Sequence, residues 1–244
     1  MTPLKNISEI KKYCRANWEY IEGPIRSVVV EFQGLNRLEY FVQPSCQLEL
    51  ELASENILYV IPYTDPWGWM NETQAQYTDW LLERLFELLS IDRNVPVVST
   101  GYSMGGLGAL MYPVFSRHNV SACMANSPVC DLVSHFTERD DLPRTLMSAF
   151  MSYPGGLEAG LESRSPIHQI DRLKQIPYFI VAGWKDTDVS IKNHSHRLTA
   201  LMQERGMALT YYALPTMIHW KINDYRVLRA SIDFIKGGYQ KTKG

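Results

Sequence analysis

Gly101-Tyr102-Ser103-Met104-Gly105 joins a strand-like run to a helix-like run, and this junction decides the fold. The residues before it, Val95–Ser99, form an apolar run typical of a buried strand. The residues after it, Gly105–Met111, are small and apolar, as in a helix that packs closely against a sheet. A strand, a sharp turn and a helix in this order hold a serine hydroxyl exposed above a sheet.

Five further apolar runs are typical of strands and alternate with segments of helical pattern. They are Val28–Phe32, Ile57–Ile61, Val120–Ala125, Tyr178–Ala182 and Leu209–Ala213. Continuous β-branched and aromatic runs suit strands that are covered on both faces. We therefore predict an α/β fold with a mainly parallel central sheet of about six strands and helices on both faces.

Helices are predicted from apolar spacing, capping residues and glycine stops. The clearest begins near Asn71, whose side chain can cap it while Gln74 replaces the acid of a capping box. Others run from Gly105 to Arg117, from Lys192 to Arg205 and from Asn223 to Ile235. Leu48–Leu52 alternates like a strand, but two parallel strands normally need a helix between them, so we favour a helix there.

A chain of 244 residues with 45% hydrophobic content is predicted to form one domain, residues 1–244. The segment 129–176 is longer than a simple crossover requires. We predict that it is an insertion forming a small helical cap over the face that carries the site. The alternative is a long surface connection without a role.

Charge and hydropathy exclude several classes of function. The net charge is −2, from 24 basic and 26 acidic residues, which favours neither nucleic acid nor an anionic membrane as a partner. No stretch approaches the length of a membrane span, and the first residues contain no apolar signal region. We expect a soluble, cytoplasmic protein without membrane insertion, whose four cysteines are free thiols.

Candidates for a general base and an acid follow later strands, where a serine nucleophile needs them. In proteins with such a turn the chain order is serine, then Asp or Glu, then His, each after a strand. The strand Tyr178–Ala182 leads into a loop with Asp186 and Asp188, and the strand Leu209–Ala213 leads into a loop with His219. His219 is the predicted base, and either carboxylate can be the acid.

The remaining histidines do not form a metal-binding pattern. No His and carboxylate spacing matches HExxH or a three-ligand zinc site. A lone histidine in a loop, such as His219, can also be a solvated surface residue, but the serine upstream and the strand before it favour the catalytic interpretation. We predict no metal and no cofactor.

Two backbone N–H groups are candidates for binding a tetrahedral oxyanion. One belongs to Met104, directly after Ser103. The other belongs to Leu35, in the loop after Val28–Phe32, where Gly34 allows the backbone to approach closely. In the alternative interpretation Gly34 only ends a strand.

Tryptophans follow two of the predicted strands and are candidates for substrate binding. Trp67 and Trp69 lie on the loop after Ile57–Ile61, and Trp184 lies beside the candidate acids. Together with Gly34 they are the predicted substrate-binding residues, and such aromatic walls bind apolar acyl groups, sugar rings or phenolic acids. The alternative is that these tryptophans belong to the core.

With these motifs the chain resembles the α/β-hydrolase superfamily, in its esterase and prolyl-oligopeptidase-like branch. The resemblance extends from about Ser27 to the C-terminus and rests on four motifs. These are Gly101–Gly106, Ser165-Pro166 followed by Ile176–Gly183, the Gly183-x-x-Asp186-x-x-Val189 loop, and the C-terminal His219. It implies the triad Ser103, Asp186 and His219, with Asp188 as the second candidate for the acid.

The chain departs from that family pattern in two places. Gln33 precedes Gly34 where many relatives carry His-Gly, which weakens the assignment of Leu35. The N-terminus is also short for the two leading strands of the complete fold, in agreement with a reduced sheet.

We predict a serine hydrolase that cleaves carboxylic esters through an acyl-enzyme on Ser103. The substrate is a small-molecule ester with a small acyl group, an acetylated sugar or an aromatic acid. One alternative is a prolyl-oligopeptidase-like peptidase, which we consider less suitable because the chain leaves no room for that family's N-terminal propeller. Another alternative is a non-catalytic binding protein that keeps the fold.

Overall fold

The computed structural model describes residues 6–37 and 46–243, and these residues form an α/β fold around one sheet. The predicted domain 1–244 also includes residues 1–5, 38–45 and 244, which lie outside the described residues. The strands are β1 (Cys14–Ala16), β2 (Ser27–Phe32), β3 (Ile57–Pro62), β4 (Val97–Tyr102), β5 (Val120–Asn126), β6 (Tyr178–Gly183) and β7 (Leu209–Leu214).

The strand order across the sheet is β1-β3-β2-β4-β5-β6-β7. β1 runs antiparallel to β3, and the other pairings are parallel, which confirms the predicted α/β class and mainly parallel sheet. The described residues contain seven strands, one more than predicted. The additional strand, β1, has three residues with an arginine in the middle, too short a run to show a periodic pattern.

The helices cover both faces of the sheet. They are α1 (Ile7–Ile10), α2 (Gln47–Ser54), α3 (Glu72–Leu88), α4 (Met104–Phe115), α5 (Leu132–His135), α6 (Leu142–Phe150), α7 (Gly156–Arg164), α8 (Ser195–Glu204) and α9 (Tyr225–Ile235). None of those within the described ranges is long and apolar enough to span a membrane.

The predicted helices are present, with shifts at their ends. The ambiguous segment Leu48–Leu52 is helical in α2, and the Asn71 side chain caps α3 by accepting from the Gln74 N–H. Gln74 does not close a capping box, because its Oε1 accepts from the Met70 N–H instead. α8 begins three residues later than predicted, because the His194 N–H donates to the Ser190 carbonyl in a turn before the helix.

Two hydrophobic clusters lie on opposite sides of the sheet, because successive strand residues point to opposite faces. Val28 and Val30 of β2 belong to the cluster that includes residues of α3, α4 and α8, whereas Val29 belongs to the cluster that includes residues of α2 and α9. The parallel strands therefore all end at one edge of a sheet covered on both faces. The loops that carry Gly34, Ser103 and His219 leave from that edge.

The segment 129–176 contains α5, α6 and α7, and its role as a cap over the site stays a prediction. Its side chains reach two loops at the edge of the sheet that carries the site. Thr145 Oγ1 accepts from Trp69 Nε1 at 3.1 Å, and Arg139 Nη1 donates to Asp188 Oδ1 at 3.2 Å. The segment thus packs beside the loop that carries the candidate acids.

Asp79 joins α3 to the end of α4. Its side chain is buried and accepts hydrogen bonds from the hydroxyls of Tyr112 and Ser116, both at 2.8 Å. It also accepts from the backbone N–H of Arg117 at 3.0 Å and from its Nε at 3.2 Å. The buried carboxylate therefore has four donors, which offset the free energy of its desolvation.

Replacing this carboxylate is expected to destabilise the fold. Asp79→Ala leaves the buried Tyr112 hydroxyl without its acceptor, so the free energy of unfolding should fall by about 3 kcal/mol. Denaturant unfolding followed by circular dichroism measures the change. The exposed Asp140 provides the matched control, since Asp140→Ala should change stability by less than about 0.5 kcal/mol. Equal effects of the two variants would contradict this account of Asp79.

Candidate active site

Ser103 lies at a strained turn between β4 and α4. Its backbone has φ 57° and ψ −124°, in the region with positive φ that residues other than glycine rarely adopt. The Ser103 N–H donates to the Asn126 carbonyl at 3.0 Å, and its own carbonyl accepts from the N–H groups of Leu107 and Val129, both at 3.2 Å. These bonds to α4 and to the end of β5 hold the strained backbone in place.

Two glycines allow the turn to pack against β2. A Cβ on Gly105 would overlap the carbonyl oxygen of Phe32, and a Cβ on Gly101 would overlap the carbonyl oxygen of Gly105. The start of α4 therefore contacts the end of β2 through backbone atoms. This approach brings the loop after β2, which contains Gly34, beside Ser103.

Asp186 and His219 form a hydrogen-bonded pair. His219 Nδ1 lies 2.8 Å from Asp186 Oδ2, while Asp186 Oδ1 accepts from the N–H groups of Asp188 and Val189, both at 2.9 Å. Burial alone would raise the pKa of Asp186, but the hydrogen bonds from His219 and the two N–H groups hold that pKa below its usual range. Asp186 thus remains a carboxylate that orients the imidazole.

Asp188 has a different partner. Its Oδ1 accepts from Arg139 Nη1, and its side chain is 45% exposed, compared with 2% for Asp186. Of the two carboxylates left open by the sequence, the structure therefore places Asp186, and not Asp188, against the ring of His219.

Contacts from two neighbouring loops fix the position of the histidine loop. The Lys185 N–H donates to the Met217 carbonyl at 3.0 Å, which joins the acid loop to the histidine loop. Asn126 Nδ2 donates to the Trp220 carbonyl at 2.6 Å, and the Trp220 N–H donates to Ser127 Oγ at 3.3 Å. Asn126 therefore helps to position both Ser103 and His219, because it bonds the backbone of Ser103 and the backbone of Trp220, which follows His219.

Ser103 and His219 line one cavity of about 200 Å³. The other residues that line this cavity are Gly34, Leu35, Asn36, Arg37, Tyr102, Arg139, Asp188 and Trp220. Within residues 6–37 and 46–243 no hydrogen bond joins the Ser103 hydroxyl to the His219 ring. Since Nδ1 is engaged by Asp186, the nitrogen that remains for Ser103 is Nε2. A catalytic contact of this kind often tightens only when substrate binds.

Of the two predicted oxyanion donors, Leu35 lines this cavity and Met104 directly follows Ser103, which also lines it. Met104 is the first residue of α4, and the first N–H groups of a helix have no partner within the helix. Leu35 and Gly34 line the cavity opposite the turn. The preceding Gln33 is buried, and its Nε2 donates to Glu31 Oε1 at 3.4 Å. The structure brings the predicted residues together, and their role as donors stays a prediction.

The three predicted substrate-binding tryptophans occupy different environments. Trp69 is 1% exposed and packs edge-on against His135, so it lies in the core rather than in an open wall. Trp67 is half-buried, and its Nε1 donates to Asn36 Oδ1 at 2.6 Å, next to the cavity. Trp184 is exposed and packs edge-on against His196.

Sequence reasoning did not select four residues that line the cavity: Asn36, Arg37, Tyr102 and Arg139. Asn36 and Tyr102 are adjacent to residues that were selected, so their position in the turns was a usable signal. Arg139 comes from the segment 129–176, and no motif in that segment indicates which side chain reaches the cavity.

Among the residues that the structure describes, two groups of side chains place three ligand-type atoms within 4.8 Å of one another. They are His135, Glu138 and His194, and Asp186, Asp188 and His219. In the first group His194 Nδ1 accepts from the N–H groups of Cys130 and Asp131, so Nε2 carries the ring proton. Nε2 donates that proton to Glu138 Oε2 at 2.9 Å. This protonation state suits hydrogen bonding and opposes metal ligation through Nε2.

The sequence profile of the prolyl oligopeptidase family matches residues 62–241, which include the strained serine turn, the acid loop and the histidine. The chain belongs to the prolyl oligopeptidase family. The resemblance inferred from the sequence is confirmed.

Proteins similar to this chain are named as peptidases and as esterases. An uncharacterized peptidase of Bacillus subtilis, YtmA, is 23% identical over 120 residues, which are 49% of this chain and 46% of that protein. A puromycin-hydrolyzing peptidase of Mycobacterium tuberculosis superposes with a TM-score of 0.72 at 18% identity, over 91% of this chain and 35% of that one. The chain thus spans about half the length of the curated relative.

An esterase provides a structural match of similar quality. Esterase B of Lactobacillus rhamnosis superposes with a TM-score of 0.68 at 15% identity, over 91% of this chain and 80% of the esterase. At these identities the superpositions describe a shared fold. Both peptidases and esterases therefore use the architecture found here.

The pairing of His219 with Asp186 gives opposite expectations for the two carboxylates. Asp186→Asn should lower kcat/KM by about 10³- to 10⁴-fold, because an amide holds the imidazole in the wrong tautomer. Asp188→Asn should have a much smaller effect, because Asp188 contacts Arg139 rather than the ring. Steady-state kinetics on both variants, with folding checked by circular dichroism, measures the difference. A larger loss in Asp188→Asn would assign the catalytic role to Asp188.

Proposed function

We propose that this prolyl oligopeptidase family member hydrolyses carboxylic esters with short acyl groups through an acyl-enzyme on Ser103. The observation that carries the proposal is the arrangement around one cavity. Ser103 sits on a strained turn, and the His219 ring opens onto the same cavity with its other nitrogen held by Asp186. These are the nucleophile, base and orienting acid that acyl transfer requires.

Acylation begins when Ser103 Oγ attacks the ester carbonyl and His219 Nε2 accepts the hydroxyl proton. The carbonyl oxygen becomes an oxyanion, which accepts hydrogen bonds from the N–H groups of Met104 and Leu35. The C–O bond to the alcohol then breaks, and His219 returns its proton to the departing oxygen. The products of this half-reaction are the free alcohol and the acyl ester of Ser103.

Deacylation repeats these steps with water. His219 Nε2 removes a proton from the water as it attacks the acyl carbonyl, and the same N–H groups hold the second oxyanion. The proton passes back to Ser103 Oγ when the acid product leaves. Asp186 remains ionised throughout, because its hydrogen bonds keep its pKa low, and it stabilises the imidazolium in both halves.

The size and walls of the cavity support a short acyl group. Its volume is about 200 Å³, below the range of pockets that bury drug-sized ligands. Trp220 supplies an aromatic wall, with its ring centroid 5.6 Å from that of Tyr102. The esterase that shares this fold also supports ester hydrolysis.

Peptide-bond hydrolysis is the second candidate, and the family match favours it. The Bacillus and Mycobacterium proteins similar to this chain are both named as peptidases. The same residues would act on an amide, but the leaving amine depends more strongly on the proton returned by His219. The two candidates therefore differ in leaving group and not in nucleophile.

The role of Ser103 is tested by removing its hydroxyl. Ser103→Ala should lower kcat on p-nitrophenyl butyrate by about 10⁴-fold or more, because no acyl-enzyme can form. The variant should unfold close to the wild-type temperature, since the Ser103 side chain lines the open cavity rather than the core. Steady-state kinetics and a thermal unfolding scan on the same preparation measure kcat and the unfolding temperature. Activity close to the wild-type value would exclude Ser103 as the nucleophile.

The substrate class is tested by comparing leaving groups and acyl lengths. We expect the highest kcat/KM on p-nitrophenyl acetate or butyrate, with a decline toward octanoate as the acyl chain exceeds the cavity. An aminoacyl p-nitroanilide should be turned over more slowly than these esters. The reverse order, with Ser103→Ala inactive on both, would support the peptidase and retain the mechanism.

A further inference from the structure

A second cavity, of about 660 Å³, lies on the flank of the molecule. It is bounded by the first half of α3, the residues at the end of α4 and the end of α7. The charged and aromatic residues that line it include Glu72, Asp79, Phe115, Arg117, Arg164 and Arg172. The residues that line it are different from those that line the cavity with Ser103.

Arg164 is a buried cation at this cavity. The residue is 5% exposed, and its guanidinium carbon lies 3.7 Å from the centroid of the Phe115 ring. Its Nε and Nη1 atoms are buried without a hydrogen-bond partner. Within the described ranges no carboxylate lies close enough to form an ion pair with it. A buried charge without a partner is strongly unfavourable, so a counter-charge at this position would stabilise the fold.

The surroundings increase the positive character of the cavity. Arg172 also stands over the Phe115 ring, with its guanidinium carbon 5.3 Å from the centroid. Burial lowers the pKa of Arg164, the nearby Tyr153 and Glu72 act in the opposite direction, and Arg172 lowers it further. Two guanidinium groups beside one aromatic ring repel each other, and an anion between them would offset this repulsion.

The two carboxylates at the cavity are engaged elsewhere. Asp79 accepts its four hydrogen bonds from Tyr112, Ser116 and Arg117. Glu72 Oε1 accepts from Gln76 Nε2 at 2.9 Å. With three arginines and two carboxylates, the lining retains one positive charge in formal terms.

We propose that this cavity binds a small ligand through a phosphate or carboxylate group held by Arg164 and Arg172. A guanidinium presents several N–H donors in one plane, which match the oxygens of either group. Phe115 supports the Arg164 plane from one side, so the side chain is already oriented for the anion. The site is independent of the hydrolytic reaction proposed for Ser103.

Isothermal titration calorimetry tests the site directly. Sodium phosphate and sodium benzoate are titrated separately into the wild-type protein in an anion-poor buffer, with sodium chloride at equal ionic strength as the reference. We expect saturable binding of at least one probe, and the probe that binds identifies a phosphate or a carboxylate as the recognised group. Saturable binding of neither probe would overturn the proposal.

Variants locate the binding. Arg164→Leu should weaken the affinity at least about tenfold, because it removes the charged hydrogen bonds. In the anion-poor buffer the same variant should unfold at or above the wild-type temperature, since it also removes an unpaired buried charge. The matched control is Arg205→Leu, because Arg205 pairs with Asp171 outside this cavity and its loss should leave the affinity unchanged. Equal binding by wild type and Arg164→Leu would refute the site.

Two further variants keep the test decisive. Arg172 is exposed, so Arg172→Leu should fold even if Arg164→Leu does not, and it should weaken binding several-fold. Glu72→Gln should tighten binding, because it removes a negative charge from the lining. If Glu72 is instead the counter-ion of Arg164 in solution, Glu72→Gln will lower the unfolding temperature and the wild type will bind neither probe. Ser103→Ala should bind like the wild type, so this result does not depend on the proposed hydrolysis.

Discussion

The contact between Gly105 at the start of α4 and the carbonyl of Phe32 at the end of β2 sets the geometry of the catalytic region. Any side chain at position 105 would force the helix away from the strand. The close approach gives the chain so little space between β4 and α4 that Ser103 adopts a positive φ. The same approach places the loop after β2 against the serine. The position of Ser103 and the position of the loop after β2 are thus two results of one backbone contact.

The parallel sheet brings the remaining groups to this place. Because β6 and β7 run parallel to β4, their following loops leave from the same edge, so residues more than a hundred positions apart meet. Bonds between loops then set the finer positions: Asn126 bonds the backbone of both Ser103 and Trp220. Sheet topology gives proximity, and a few polar contacts give alignment.

The sequence predicted well what depends on local pattern. The six longer strands and the cap at Asn71 follow from periodicity and capping, which act within a few residues. The helix at Leu48–Leu52 was predicted against its alternating pattern, because two parallel strands need a helix between them. β1 was missed because three residues carry no period, and they are a strand only through pairing with β3. The choice between Asp186 and Asp188 was equally inaccessible, since it depends on Arg139 withdrawing one carboxylate. The core position of Trp69 depends on packing against the segment 129–176.

Two consecutive residues, Glu138 and Arg139, join the segment 129–176 to the acid loop and to the turn that follows it before α8. Glu138 accepts from Asn193 Nδ2 and His194 Nε2 beyond the loop, and Arg139 bonds Asp188 within it. Insertions at such positions are often regarded as modules that can be exchanged between relatives. In this protein the segment 129–176 also supports the loop that carries Asp186. A graft of a foreign segment therefore has to reproduce this pair of side chains, or the resulting protein keeps the turn at Ser103 and loses contacts that support the loop with Asp186.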